Sequence, residues 1–167
     1  MKFILITGHA TEGKTTLATK ITERFGPKDY ALATPLKELT MAMFDLFDRE
    51  VPTEKEVIRP YFQKIGTEIG RHIFGEDIWC ETLERRVKDN HEDVAIISDI
   101  RRLNERQYFV DRYPTLTIRI VNPEYKPNVN SGHISETEID IIPYDYRQIR
   151  TESHEELWSQ IKAFLEE

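Results

Sequence analysis

The first stretch of the chain, Phe3-Ile4-Leu5-Ile6-Thr7, is an apolar run closed by Gly8, the pattern of a parallel strand covered on both faces. A helix is expected from about Lys14, because Leu17, Ala18, Ile21 and Phe25 recur at helical spacing and Gly26-Pro27 ends the pattern. Tyr30 to Ala33 reads as a short second strand. Thr34-Pro35 opens a helix whose inner face is marked by Leu36, Leu39, Met43 and Leu46, since proline is well tolerated in a first helical turn. From Pro52-Thr53, the residues Val57, Tyr61, Ile65, Ile69 and Ile73 repeat every four positions up to Phe74-Gly75. They predict one long amphipathic helix with a kink at Pro60. Trp79, Leu83 and Val87 predict a further helix from about Asp77.

Val94-Ala95-Ile96-Ile97-Ser98 is another apolar strand, ending at Asp99. Leu103, Gln107 and Val110 mark one side of the next helix, which Pro114 closes. Leu116, Ile118 and Ile120 alternate with Thr117 and Arg119, the period of a strand. Residues 122–132 hold two prolines, three asparagines and a glycine, which makes them a loop by turn chemistry. Such a length inside a compact domain suits either a lid, at about 122–137, or a plain connection. Ser153-His154-Glu155-Glu156 reads as a capping box before a final helix carrying Leu157, Ile161 and Leu165. Strands alternating with helices predict an α/β protein, three layers deep (α/β/α), with a parallel sheet of about five strands. The 167 residues suit a single domain, 1–167, with a helical segment at about 35–90 inside it.

Composition narrows the partners more than the fold. Lys plus Arg total 23 against 30 Asp plus Glu, so the chain repels a polyanion and nucleic acid polymers are poor default partners. The N-terminal apolar run is too short to span a membrane, and Gly8 interrupts it before a signal-peptide core develops. The one cysteine, Cys80, forms no internal disulfide, which fits the cytoplasm. The apolar faces of the helices after Pro35 and Pro52 suit either a core or a homodimer interface.

The chemistry concentrates in Gly8-His9-Ala10-Thr11-Glu12-Gly13-Lys14-Thr15, with Thr16 following. Glycines at this spacing, between a strand and a helix, let backbone amides converge on phosphate oxygens at a helix N-terminus. Lys14 is then placed to neutralise β- and γ-phosphates, and the Thr15 hydroxyl to reach Mg²⁺, which favours oxygen ligands. ATP with Mg²⁺ is the implied donor. Asp99, at a strand end, fits either a carboxylate that organises Mg²⁺ water or the acceptor, or an acid capping the next helix. Phosphoryl transfer concentrates negative charge, which arginines neutralise. Arg101 and Arg102 follow Asp99, and Arg59 and Arg71 lie on the long helix; of these, Arg71 and Arg101 rank first by context. In the loop after Asn122 the one Lys or Arg is Lys126. His133 has no Cys or His at ligand spacing and is read as a structural or surface residue. Trp79 is read as core in preference to a base-stacking platform.

Beyond the P-loop, the chain resembles the deoxynucleoside monophosphate kinases of bacteriophages, a branch of the P-loop kinases. The resemblance rests on Thr34-Pro35-Leu36-Lys37; on Arg59 with Gln63-Lys64-Ile65-Gly66-Thr67-Glu68 and Arg71; and on Phe74-Gly75-Glu76-Asp77-Ile78-Trp79. It continues through Ser98-Asp99-Ile100-Arg101 with Asn104-Glu105, and through His133-Ile134-Ser135-Glu136. It implies a P-loop kinase fold and transfer of the ATP γ-phosphate to a deoxynucleoside 5′-monophosphate. It further implies that Lys37, Arg59, Gln63, Arg71, Asp77, Trp79 and Arg101 lie near the acceptor. Arg150 stands where similar sequences often show asparagine. The P-loop alone leaves open a kinase for dephospho-coenzyme A, a nucleoside or AMP, or a nucleotide-dependent binding protein.

Overall fold

The computed structural model describes residues 1–125 and 137–167, which form two compact units: residues 1–30 with 91–167, and residues 31–90. The loop expected at 122–137 falls mostly outside the described residues, as do Lys126, His133, Ile134, Ser135 and Glu136. In chain order the elements are β1 (Lys2–Thr7), α1 (Lys14–Phe25), β2 (Lys28–Tyr30), α2 (Ala33–Leu46), α3 (Lys55–Lys64), a π-helix (Ile65–Arg71), α4 (His72–Phe74) and α5 (Ile78–Asp89). They continue as β3 (Val94–Ile100), α6 (Leu103–Val110), β4 (Thr115–Val121), a 3₁₀ turn (Ile139–Ile141), β5 (Tyr146–Ile149) and α7 (Glu155–Glu166).

In the first unit the five strands form one all-parallel sheet in the order β2-β3-β1-β4-β5. β1 is central, and Phe3, Ile4, Leu5 and Ile6 have no exposed surface because helices cover both faces. On one face Ile4, Ile6, Ile96, Leu116, Ile118 and Ile120 form a core with Leu17, Ala18 and Ile21 of α1 and Leu157, Ile161 and Phe164 of α7. On the other, the Phe3 ring meets Phe109 of α6 at 4.8 Å and Tyr113 at 5.1 Å. Full burial of each large apolar side chain contributes about 1.5–3 kcal/mol. The expected three layers are therefore present in this unit.

Several sequence expectations shift here. β2 ends at Tyr30, where a strand was expected to begin, and Ala33 already starts α2. β4 is a strand as its alternation predicts, and its polar positions Thr117 and Arg119 are buried together with Leu116, Ile118 and Ile120. In α6 the buried side is Glu105, Tyr108 and Phe109, whereas Leu103 and Gln107 are exposed. The N-cap of α7 is His154, and the Ser153 hydroxyl accepts the Glu155 N–H at 3.3 Å, which is not the expected capping box. Phe164, ahead of Leu165, completes the inner face of α7.

In the second unit the long helix is not one α-helix. A step of four residues overshoots an α-helical turn by about 40°, so a strict four-residue repeat walks around the cylinder. Of the repeated residues Ile65 is buried, whereas Val57, Tyr61 and Ile73 are exposed. The backbone answers with a π-helix over Ile65–Arg71, while Pro60 is accommodated inside α3. Two glycines permit close packing along it: a Cβ on Gly66 would meet Leu36 at 3.0 Å, and one on Gly70 would meet the Trp79 ring at 2.4 Å. On α2, Leu39 and Leu46 are exposed, contrary to the expected inner face. Among the described residues no helix is long and apolar enough to cross a membrane.

Candidate phosphate-binding site

Two glycines shape the loop between β1 and α1. A Cβ on Gly8 would lie 2.9 Å from the Ile120 carbonyl oxygen and 2.9 Å from Glu12 Oε2, so glycine alone lets the chain leave β1 against β4. Gly13, the N-cap of α1, has φ 104°, a left-handed conformation that glycine adopts without penalty. Between them Glu12, 2% exposed, accepts the His9 N–H and, at 3.4 Å, the Asn122 N–H. The Glu12 side chain therefore folds the loop onto itself.

Lys14 is buried, and its Nζ donates to the carbonyl oxygens of Gly8 and His9, both at 2.6 Å. The ammonium is thus held against the loop's own backbone at the start of α1. Ala10, Thr11, Thr15 and Thr16 are exposed. The first turn of α1 directs its N–H groups and the positive end of the helix dipole to this loop, which suits an anion. Outside the loop, Arg150 donates from its backbone N–H to Val121 at 2.8 Å and from Nη1 to the Thr11 carbonyl at 3.4 Å.

Asp99 is the penultimate residue of β3, the strand beside β1. Register slips there: Leu5 pairs with Ile97 but Thr7 with Ile100, so β3 carries one extra residue at Ser98-Asp99. Bulges of this kind re-aim side chains at the ends of strands. The Ser98 hydroxyl donates to Asp29 Oδ2 at 2.7 Å. Loss of water around the carboxyl pushes the Asp29 pKa up, the Ser98 hydrogen bond opposes this, and the Asp99 charge adds to it; the residue as a whole stays exposed. Sequence reasoning passed over Asp29, because the strand that carries it was placed after it. Arg101 and Arg102 follow, and both backbone N–H groups donate to Oε2 of buried Glu105, at 2.9 and 3.0 Å.

A hydroxyl and a carboxylate, Thr15 and Asp99, are the oxygen donors that the sequence assigned to Mg²⁺. Among the described residues no group of three His, Cys, Asp or Glu is placed to hold a metal. So small a donor set suits an ion that keeps most of its waters and takes its remaining oxygens from phosphates.

The other candidate residues belong to the second unit. Lys37 and Arg59 are exposed on α2 and α3, and Gln63 is half-buried at the end of α3. Arg71 closes the π-helix, 9% exposed, with Nη1 donating to the Glu76 carbonyl at 2.6 Å. Asp77 is the N-cap of α5 and its carbonyl accepts the Glu81 N–H at 2.9 Å. Trp79 is buried, as expected of a core residue, and fastens the π-helix by donating from Nε1 to the Gly66 carbonyl at 2.9 Å.

No family model matches the chain. It is 34% identical over 85 residues to a deoxynucleoside-5′-monophosphate kinase of Escherichia phage T5, a match that covers 48% of this chain and 34% of the phage protein. The matched region thus spans about a third of that relative's length. A provisionally named deoxynucleotide monophosphate kinase of Acanthamoeba polyphaga mimivirus is 26% identical over 186 aligned positions, covering 96% of this chain and 94% of that protein. Among solved structures, a provisionally named kinase of Chloroflexus aurantiacus superposes with a TM-score of 0.54 at 12% identity, over 99% of this chain and 96% of the other. The chain thus has the α/β fold of that solved structure and is similar in sequence to viral deoxynucleotide monophosphate kinases.

Proposed function

We propose that this chain is an enzyme that transfers the γ-phosphate of ATP to a deoxynucleoside 5′-monophosphate, giving ADP and the deoxynucleoside diphosphate. The observation that carries the donor half is the Gly8–Thr15 loop, in which a buried lysine ammonium and a helix N-terminus converge at the end of the central strand. The acceptor half is supported by the likeness to the phage and mimivirus kinases.

In this reading an oxygen of the acceptor phosphate attacks the γ-phosphorus in line with the departing ADP oxygen, and no enzyme nucleophile is needed. Residues 8–16 cradle the donor phosphates, with Lys14 against the β- and γ-phosphates. Mg²⁺, when bound, supplies positive charge to those oxygens, with the Thr15 hydroxyl and the Asp99 carboxylate as its protein-side partners. Arg71 and Arg101 contribute charge against the phosphates, and Lys37, Arg59, Gln63, Asp77 and Trp79 serve the acceptor. The acceptor is a small molecule, and the cytoplasm, a virus-infected host's included, is the compartment that supplies it.

Incubation with ATP, Mg²⁺ and a panel of deoxyribo- and ribonucleoside monophosphates, dephospho-coenzyme A and nucleosides tests this reading. Diphosphate formed from at least one deoxynucleoside monophosphate is expected. Phosphorylation of another acceptor class alone would replace the reading with another kinase. ATP binding without any acceptor-dependent turnover would replace it with a nucleotide-dependent binding protein.

A further inference from the structure

The phosphate-binding loop contains a carboxylate, and a carboxylate repels the polyanion that such a loop binds. Glu12 is 2% exposed and cannot be neutralised by solvent. Its two backbone donors, His9 and Asn122, hold its geometry and bring no full charge. The cation that faces it is Arg119, in the strand beside the loop, opposite Thr7 in the β1–β4 register. Arg119 is 8% exposed, and its Nη2 lies 3.9 Å from Glu12 Oε2, too far for a hydrogen bond but close for two buried charges.

Arg119 is itself anchored from the far side. Its Nη1 donates to the Ile139 carbonyl at 3.0 Å and its Nη2 to Asp140 Oδ1 at 2.9 Å; the Asp140 side chain is 67% exposed, so water screens its charge, whereas that of Glu12 is buried with the arginine. The same Asp140 oxygen is 2.9 Å from Nε2 of His9, whose ring stacks on Tyr125 at 4.8 Å and 8°. One arginine thus links β4, the Ile139–Ile141 turn and the loop. A guanidinium suits this position because it keeps its charge when buried and presents several donors in a fixed plane.

We propose that Arg119 is a positioning residue for the donor nucleotide: it cancels the Glu12 charge, so that the loop keeps the shape Glu12 imposes and still accepts a polyphosphate. Shape comes from Glu12 and charge balance from Arg119. The assignment rests on reading the loop as an ATP site, and it extends the site to a residue that the sequence pattern presented as one polar position in an alternating strand.

Equilibrium binding of MgATP, without acceptor, separates the two claims. Arg119→Met is expected to weaken binding at least tenfold, and Glu12→Gln in that background to recover at least fivefold. A residue that only held the fold would be worsened by the second change. Glu12→Gln alone is expected to bind MgATP at least threefold more tightly than the wild type, and it decides the matter if circular dichroism shows Arg119→Met unfolded. Smaller weakening by Arg119→Met in a folded protein, absence of recovery in the double variant, or equal or weaker binding by Glu12→Gln would overturn the assignment. Failure of the wild type to bind MgATP would overturn the donor reading and the assignment together.

Discussion

Trp79 and Gly66 are joined by a hydrogen bond of 2.9 Å from the indole N–H to the backbone carbonyl, while the same indole ring lies flush against Gly70. One side chain of α5 thereby fastens two turns of the π-helix that ends in Arg71. A π-helix is a strained and rare backbone, and it persists where the surroundings over-determine it.

Changes at either contact should therefore weaken the second unit. Gly70→Ala places a carbon where the ring already sits, and overpacking of this kind costs about 1–3 kcal/mol. Trp79→Phe removes the indole donor to Gly66 and should cost about 0.5–1.5 kcal/mol, the net contribution of an ordinary hydrogen bond. Urea denaturation measures both. If Gly70→Ala leaves the midpoint unchanged, the close approach of ring and backbone is wrong.

Lys14 is the second test. Its ammonium bonds the Gly8 and His9 carbonyls, so in the proposed function Lys14→Ala removes a charge for the donor phosphates as well as a tether within the loop. Loss of one preorganised donor to transition-state charge lowers turnover by about 10²–10³-fold, and a loss of that size is expected here. The same variant should keep the far-UV circular dichroism of the wild type, because the core of β1 and α1 lies elsewhere, in Ile4, Ile6, Leu17 and Ile21. Turnover within a few-fold of the wild type would refute the donor role.

His154 gives a pH prediction. It caps α7 and stacks on Trp158 at 5.2 Å; burial lowers its pKa, and the nearby Lys20 charge lowers it further. A depressed folded-state value means that the neutral ring contributes stability fully present above the unfolded value of about 6.5 and lost as pH falls through the folded value. Relative to His154→Gln, which does not titrate, the wild type should lose stability as pH drops below about 6.5. Thermal melts across that range report it, and parallel pH profiles for the two proteins would contradict it.

Much of the first unit was legible because its signals are local. A strand buried on both faces reads as an apolar run, and glycine spacing announces a loop whose backbone must approach a neighbouring strand. β5 was missed because Tyr146-Arg147-Gln148-Ile149 shows no apolar run: its one fully buried side chain is Gln148, which donates to the Ile149 and Ser153 carbonyls. The π-helix was hidden for another reason. A four-residue repeat looks helical, and the close packing of Gly66 on Leu36 and Gly70 on Trp79 that accompanies the wider turn is tertiary. At the candidate site the loop, Asp99 and Arg101 were singled out as candidates by motif spacing. Asp29 and Arg119 were not, since their importance comes from what the sheet places beside them: Ser98 and Asp99 in one case, Glu12 in the other.

The most direct test of the account is chemical identification of the product when the protein, ATP and Mg²⁺ meet each deoxynucleoside monophosphate in turn. The expected result is stoichiometric ADP and deoxynucleoside diphosphate from at least one of them, formed about 10²–10³-fold more slowly by Lys14→Ala. ADP formed at a rate that no monophosphate changes, with no new diphosphate, would contradict it.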